Sequence, residues 1–142
     1  MRNTKFRGKV FHYGRDCGWV FGDFYRYYNG NLNYTIATLG EFETKEYSVE
    51  ISTVGQWTGL HDKNGKEIYE GDIVKHDAWD YPFTVIFDQQ KARFVCQLKT
   101  GLTNHIHCEG IQVVGNIFDN PDLVFKTMVE QSKGISSTDD FS

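Results

Sequence analysis

Thr53–Val74 reads TVGQWTGLHDKNGKEIYEGDIV, and its turn chemistry decides the fold. Asp62-Lys63-Asn64-Gly65-Lys66 is a turn signal: Gly65 takes a positive φ cheaply, and Asp62 and Asn64 bond their own nearby backbone. The following Lys66-Glu67-Ile68-Tyr69 is then placed to pair back on Thr58-Gly59-Leu60. Glu70-Gly71-Asp72 makes a second kink, and Ile73-Val74 opens a β-branched run.

Upstream, Lys5–Phe11 alternates charge and aromatic, so Phe6 faces one side and Lys5 and Arg7 the other. Gly14 to Gly18 reads as a turn. Trp19–Tyr28 carries apolar or aromatic residues on both parities, which calls for burial on both faces or for a bulge, the latter expected at Gly22-Asp23. Asn29-Gly30 lies between aromatic strands as a strong hairpin signal. Leu32, Tyr34 and Ile36 alternate toward a core, as do Tyr47, Val49 and Ile51 beyond a polar loop at Gly40–Glu46.

Downstream, Ile73-Val74-Lys75 is a short strand and His76–Pro82 a loop. Phe83–Phe87 and Phe94–Leu98 form a hairpin around Asp88–Lys91. Lys99–Glu109 is weakly patterned, and Ile111–Phe118 is a last strand. Asn120-Pro121-Asp122 opens a helix, with a capping residue, a proline suited to the first turn and an acid at the positive end. Gly134 stops it, and the polar tail ISSTDDFS reads as disordered. The fold class is all-β. An aromatic-rich antiparallel sheet (1–58) precedes an SH3-like small barrel (59–120), since short strands at close intervals suit a strongly bent barrel. A short helix and tail (121–142) close the chain.

Aromatics make up 15% of the chain, which supplies large buried areas from few residues. No apolar run approaches the ~18 residues of a membrane helix, and the N-terminus lacks a signal peptide's apolar centre, so a cytoplasmic protein is expected. Cys17, Cys96 and Cys108 are odd in number and irregularly spaced, which speaks for reduced thiols rather than a disulfide framework. The net charge of −4 hides an asymmetry: residues 1–34 hold six basic and two acidic side chains, the remainder nine and seventeen. Ten of the 22 aromatics lie between Phe6 and Tyr34, interleaved with those cations. This pattern serves a core or protein interface first, and a platform for single-stranded nucleic acid as the alternative. Arg7, Trp19, Tyr25, Arg26 and Tyr27 are the candidate contact residues.

The catalytic patterns are weak. Asp62–Gly65 superficially resembles a calcium loop, but its glycine is misplaced and strands flank it. His105-Ile106-His107-Cys108 is the best metal candidate, and on a strand His105 and His107 share one face. A zinc site needs further ligands, for which Cys96 or His76 would have to converge. Glu67, Glu70 and Asp72 suit fixing the kink better than acid–base work. No nucleophile elbow, phosphate-cradling loop or dinucleotide fingerprint is present, and neither metal nor cofactor is expected.

The organising stretch Thr53–Val74 resembles the signature of the YopX family of phage and prophage proteins. Val113–Leu123 (VVGNIFDNPDL) is similar to that family's closing motif, and Phe6-Arg7-Gly8-Lys9 with Trp19–Asp23 matches its front strands loosely. The resemblance implies a mostly β protein made in the cytoplasm of a Gram-positive host, and it carries no catalytic residues. The expected function is a non-enzymatic phage accessory protein that binds a protein partner or itself as an oligomer, without a membrane. A single-stranded nucleic-acid binder is the alternative, and a small metal-dependent hydrolase around His105, His107 and Cys108 a third.

Overall fold

The computed structural model describes residues 4–40, 42–98, 100–106 and 109–123. Pro121–Leu123 are helical, so the predicted helix opens where the capping signal places it; its remainder, Gly134 and the tail lie outside the described residues, as do His107 and Cys108. The chain is mostly strand, in two antiparallel sheets, and divides into two compact units, Met1–Gly59 and Leu60–Ser142.

The first unit contains β1 (Phe6–His12), β2 (Arg15–Tyr28), β3 (Leu32–Leu39), β4 (Thr44–Ser48) and the start of β5 (Gly55–His61), in the order β4-β3-β2-β1-β5. Its apolar side gathers Phe24 between Phe6 (ring centroids 5.6 Å apart) and Tyr34 (6.4 Å), with Ile36 and Val49 buried nearby. Gly8 lets this side close: a Cβ there would stand 3.1 Å from both Ile36 Cδ1 and Val49 Cβ.

Several local expectations change. The β1–β2 turn is only Tyr13-Gly14, both at positive φ, so Arg15–Gly18 are already strand. The extra residue of β2 sits between Asp16 and Trp19, not at Gly22-Asp23. Gly22 is instead where β2 ends its pairing with β1 and Asp23 where it begins pairing with β3. The hairpin at Asn29-Gly30 forms, with Tyr28 opposite Leu32, and Asn29 Oδ1 accepts from Asn33 Nδ2 at 2.8 Å. Leu32 lies at that tip, past the reach of the core, and is exposed, whereas Ile36 is buried. Thr44–Glu46 is strand rather than loop. The expected strand through Ile51 stops early because Thr53 Oγ1 donates to Glu50 O (2.6 Å) and accepts Lys9 N–H (2.9 Å). Ile51–Thr53 thereby winds into a 3-10 turn that leaves Ile51 exposed.

The second unit holds β6 (Glu67–Tyr69), which lies beside β5, and a five-stranded sheet. Its strands are β7 (Asp72–Lys75), β8 (Phe83–Asp88), β9 (Arg93–Gln97), β10 (Thr103–Asn104) and β11 (Gln112–Asn116), ordered β10-β9-β8-β7-β11. The hairpin around Asp88–Lys91 and the strand at Ile73-Val74 fall as expected, and β10 emerges from the weakly patterned stretch. Ile68, Val74, Phe83, Val85, Cys96, Ile111 and Val113 form the core, with Leu60, Trp79, Leu98 and Ile106 packed against it. The all-β class holds, but the SH3-like barrel does not close among the described residues: β10 and β11 are the two ends of an open sheet. Ring closure requires a full-length seam, and a two-residue β10 offers little backbone for one.

The turn at Asp62–Lys66 is built as its sequence predicts. Asp62 Oδ1 accepts the N–H groups of Asn64 (2.8 Å) and Lys66 (2.9 Å), and Gly65 takes φ 84°. Oδ2 reaches further and accepts Val113 N–H at 2.9 Å, tying the turn to β11. Lys63 N–H donates to Ile111 O at 2.8 Å beside it. Asp72 fixes the second kink by accepting Tyr69 N–H at 2.7 Å, with Gly71 at φ 94°. No helix among the described residues is long and apolar enough to cross a membrane.

Candidate functional site

Strand alternation and register put Arg7, Lys9, Trp19, Phe21, Tyr25 and Tyr27 on one face of the N-terminal sheet, opposite the side of Phe24 and Ile36. Trp19 is gripped by two cations: the Arg7 guanidinium lies 4.6 Å from its ring centroid and the Lys9 ammonium 5.5 Å. Such contacts contribute roughly 0.5–2 kcal/mol each, more where water is excluded. Lys9 Nζ also forms an ion pair with Asp16, which the bulge in β2 carries into reach. Arg7 and Lys9 are only 5% and 6% exposed. The sequence marks both as cations but does not reveal that they are buried.

Further along the face, the rings of Tyr25 and Tyr27 stack at 6.1 Å with a 28° interplanar angle. Tyr25 donates its phenolic hydrogen to Glu46 Oε1 on β4, and this bond raises its pKa above the ordinary value. Tyr27 and Phe21 are each 45% exposed. Arg26 is exposed too but lies on the opposite side of β2, across from Tyr34, so it does not join the others. Four of the five candidate residues therefore share a face. Phe21, absent from that set, belongs with them, and its even spacing from Trp19 and Tyr25 along the strand is the signal for it. Lys5 stands 5.3 Å over the ring of Trp57 on β5, a third cation committed to an aromatic.

The chemistry-bearing residues of the second unit are dispersed. Glu67 Oε1 accepts from the Tyr69 hydroxyl (2.9 Å) and Asp72 from Tyr69 N–H, so both carboxylates brace the kink. Cys96 is fully buried, and burial pushes its thiol up to about 11, which keeps it protonated at neutral pH. His76 Nδ1 accepts Ala78 N–H at 2.9 Å, its ring rests 5.4 Å from Trp79, and its Nε2 occupies the space that a Cβ on Gly110 would need. No group of three or more His, Cys, Asp or Glu side chains converges among the described residues. His105 lines a depression with Lys91 and Arg93.

Known proteins resemble this chain in fold and in family. The crystal structure of protein EF1440 from Enterococcus faecalis matches with a TM-score of 0.52 at 20% identity, covering 86% of this chain and 98% of that one, a likeness of fold alone. A comparison with curated proteins found no match. The family model described as YopX protein matches residues 5–124, a span that takes in every strand from β1 to β11, and this chain belongs to the YopX family.

Proposed function

We propose that this protein works by binding, without catalysing a reaction, and that the exposed aromatic row of β2 is the surface it uses on another polypeptide or on a second copy of itself. One observation carries the reading: the two cations of this face, Arg7 and Lys9, are covered while its aromatics stay exposed. Arg7 and Lys9 are nearly inaccessible and engaged with Trp19 and Asp16, whereas Phe21 and Tyr27 keep almost half of their surface in water. An aromatic row with little free charge matches the composition of protein interfaces. The setting that goes with this reading is a phage or prophage within a bacterial host's cytoplasm, which the family resemblance supports. Size-exclusion chromatography with light scattering, run over a range of concentrations, tests it. Reversible association that Phe21→Ser/Tyr27→Ser removes supports the surface as self-binding. A strict monomer that also ignores every phage and host polypeptide offered to it sinks the reading.

The second reading is a single-stranded nucleic-acid binder. The stacked Tyr25–Tyr27 pair favours it, because an aromatic ring at the surface offers a π-face to a base. It requires affinity for a labelled oligonucleotide that falls steeply with salt. Unchanged fluorescence polarisation at low salt removes it.

A further inference from the structure

A different part of the molecule has the makings of a ligand site. Lys91 lies in the β8–β9 turn, β9 begins with Arg93, and β10 lies beside β9 with Thr103 opposite Gln97 and Asn104 opposite Cys96. Between them is a depression of about 210 Å³ lined by Lys91, Arg93, Val95, Thr103, Asn104 and His105. Val95 is buried and forms an apolar floor; the rest of the lining is polar or cationic.

None of the described lining residues is acidic. Asp88, the carboxylate opposite Arg93 in the register, has Oδ1 committed to its own turn, accepting Gln90 N–H at 3.0 Å and Lys91 N–H at 3.3 Å. Among the described residues, neither Lys91 nor Arg93 forms an ion pair. Two permanent cations beside His105 repel a metal ion, which turns the electrostatics of this histidine away from the ligand role its sequence context suggests. The same charges attract an anion. A guanidinium fork, an ammonium, a hydroxyl, a carboxamide and an imidazole are the donors that tetrahedral phosphate oxygens accept from. The volume is below the roughly 300–1,000 Å³ of pockets that enclose drug-sized molecules, so the fit is to one small anionic group.

We propose that the Lys91–Arg93–His105 depression binds a phosphoryl group, free or carried as a monoester on a small molecule. Arg93 supplies the fork, Lys91 the point charge, and Thr103 and Asn104 the neutral donors. The site is separate from the aromatic row of β2, and neither reading depends on the other.

The test is a ¹H–¹⁵N NMR titration of the full chain at fixed ionic strength, with inorganic phosphate, glycerol phosphate and acetate as separate probes. Saturable shifts confined to Lys91, Arg93, Thr103, Asn104 and His105 are expected with both phosphates and not with acetate. Tighter binding of glycerol phosphate assigns the group to a small molecule; equal binding assigns it to phosphate itself. Arg93→Gln and Lys91→Gln each weaken binding by roughly tenfold, the scale of one lost charge-assisted contact, with the thermal midpoint unchanged. Three results overturn the proposal: no saturable shift at millimolar phosphate, equal shifts with acetate (an adventitious ion only), or full affinity in both variants. Shifts at these residues with an oligonucleotide but with neither phosphate probe overturn it as well.

Discussion

Asp62 carries more of this fold than its place in a surface turn suggests. Its side chain is only 6% exposed and accepts three backbone N–H groups, two within the turn and one from Val113. Burial by itself raises the carboxyl pKa, but the donors of Val113, Lys66 and Asn64, with the charge of Lys66, outweigh it and hold the pKa below the ordinary value. The charged form is therefore favoured by folding. Its contribution is complete above the unfolded pKa of about 3.9 and is lost as pH falls through the lower folded value. Asp62→Asn keeps one acceptor oxygen but aims an NH₂ at Val113 N–H, or at the turn if it is flipped. A loss of about 2 kcal/mol at pH 7 is expected by urea unfolding, and Asp62→Ala costs about 3 kcal/mol or more. The stability of Asp62→Asn is also flatter between pH 5 and pH 3 than that of the native chain. Equal pH slopes for the two proteins would mean that the carboxylate is not what holds the turn to β11. The turn half of this role is legible in the sequence, because Asp and Asn before glycine bond locally. The Val113 half is not, since it joins residues 51 positions apart.

At the scale of the strand, β2 shows why alternation both reads well and misleads. Its 14 residues serve two partners in succession, β1 up to Gly22 and β3 from Asp23. The mixed parity that called for a bulge at Gly22-Asp23 marks this change of partner, while the inserted residue lies nearer the N-terminus at Asp16–Trp19. Gly22 is needed for close approach: a Cβ there would stand 2.1 Å from Ala37 O and 2.9 Å from its carbonyl carbon, both backbone atoms of β3. Backbone cannot swing aside as a side chain does, so Gly22→Ala must part the two strands. We expect a loss of about 2 kcal/mol or more, with faster hydrogen exchange in β2 and β3 and little change in β8 and β9. Wild-type exchange in β3 would contradict the close approach. Gly8→Ala meets only side-chain atoms at 3.1 Å and is the milder change. Strands such as β8 and β9 are legible because two apolar runs flank a tight turn, although only β8 buries a single parity, Phe83 and Val85, while β9 buries the neighbours Val95 and Cys96. A two-residue β10 has no period to detect, and the early end of β4 rests on the hydroxyl of Thr53, which no alternation reveals.

For the whole molecule, charge and exposure separate the two binding readings. The chain is acidic overall, with a net charge of −4, so affinity for a nucleic acid would need a gathered basic surface. The described basic residues of the first 34 do not gather into one: Arg7 and Lys9 are buried, Lys5 sits over Trp57, Arg26 lies on the face away from Tyr25 and Tyr27, and Arg15 is exposed at the start of β2. Counting charges along the sequence gives the front a cationic character that the burial of Arg7 and Lys9 reduces and the opposite facing of Arg26 disperses. The exposed aromatics remain, and they do not all lie on one face. Phe21 and Tyr27 share the face of Trp19, whereas Tyr28, 76% exposed, takes the other parity. This difference makes a within-strand control. If the aromatic row is the binding surface, Phe21→Ala removes a central anchor and weakens association by about 2 kcal/mol, roughly thirtyfold in dissociation constant. Tyr28→Ala, although it removes more exposed ring, leaves the constant within about twofold because it faces away. Sedimentation over a concentration series for the native chain and both variants reads this directly. Equal weakening by the two substitutions would mean general stickiness of exposed aromatics. Weakening by Tyr28→Ala alone would move the binding surface to the other face of the sheet.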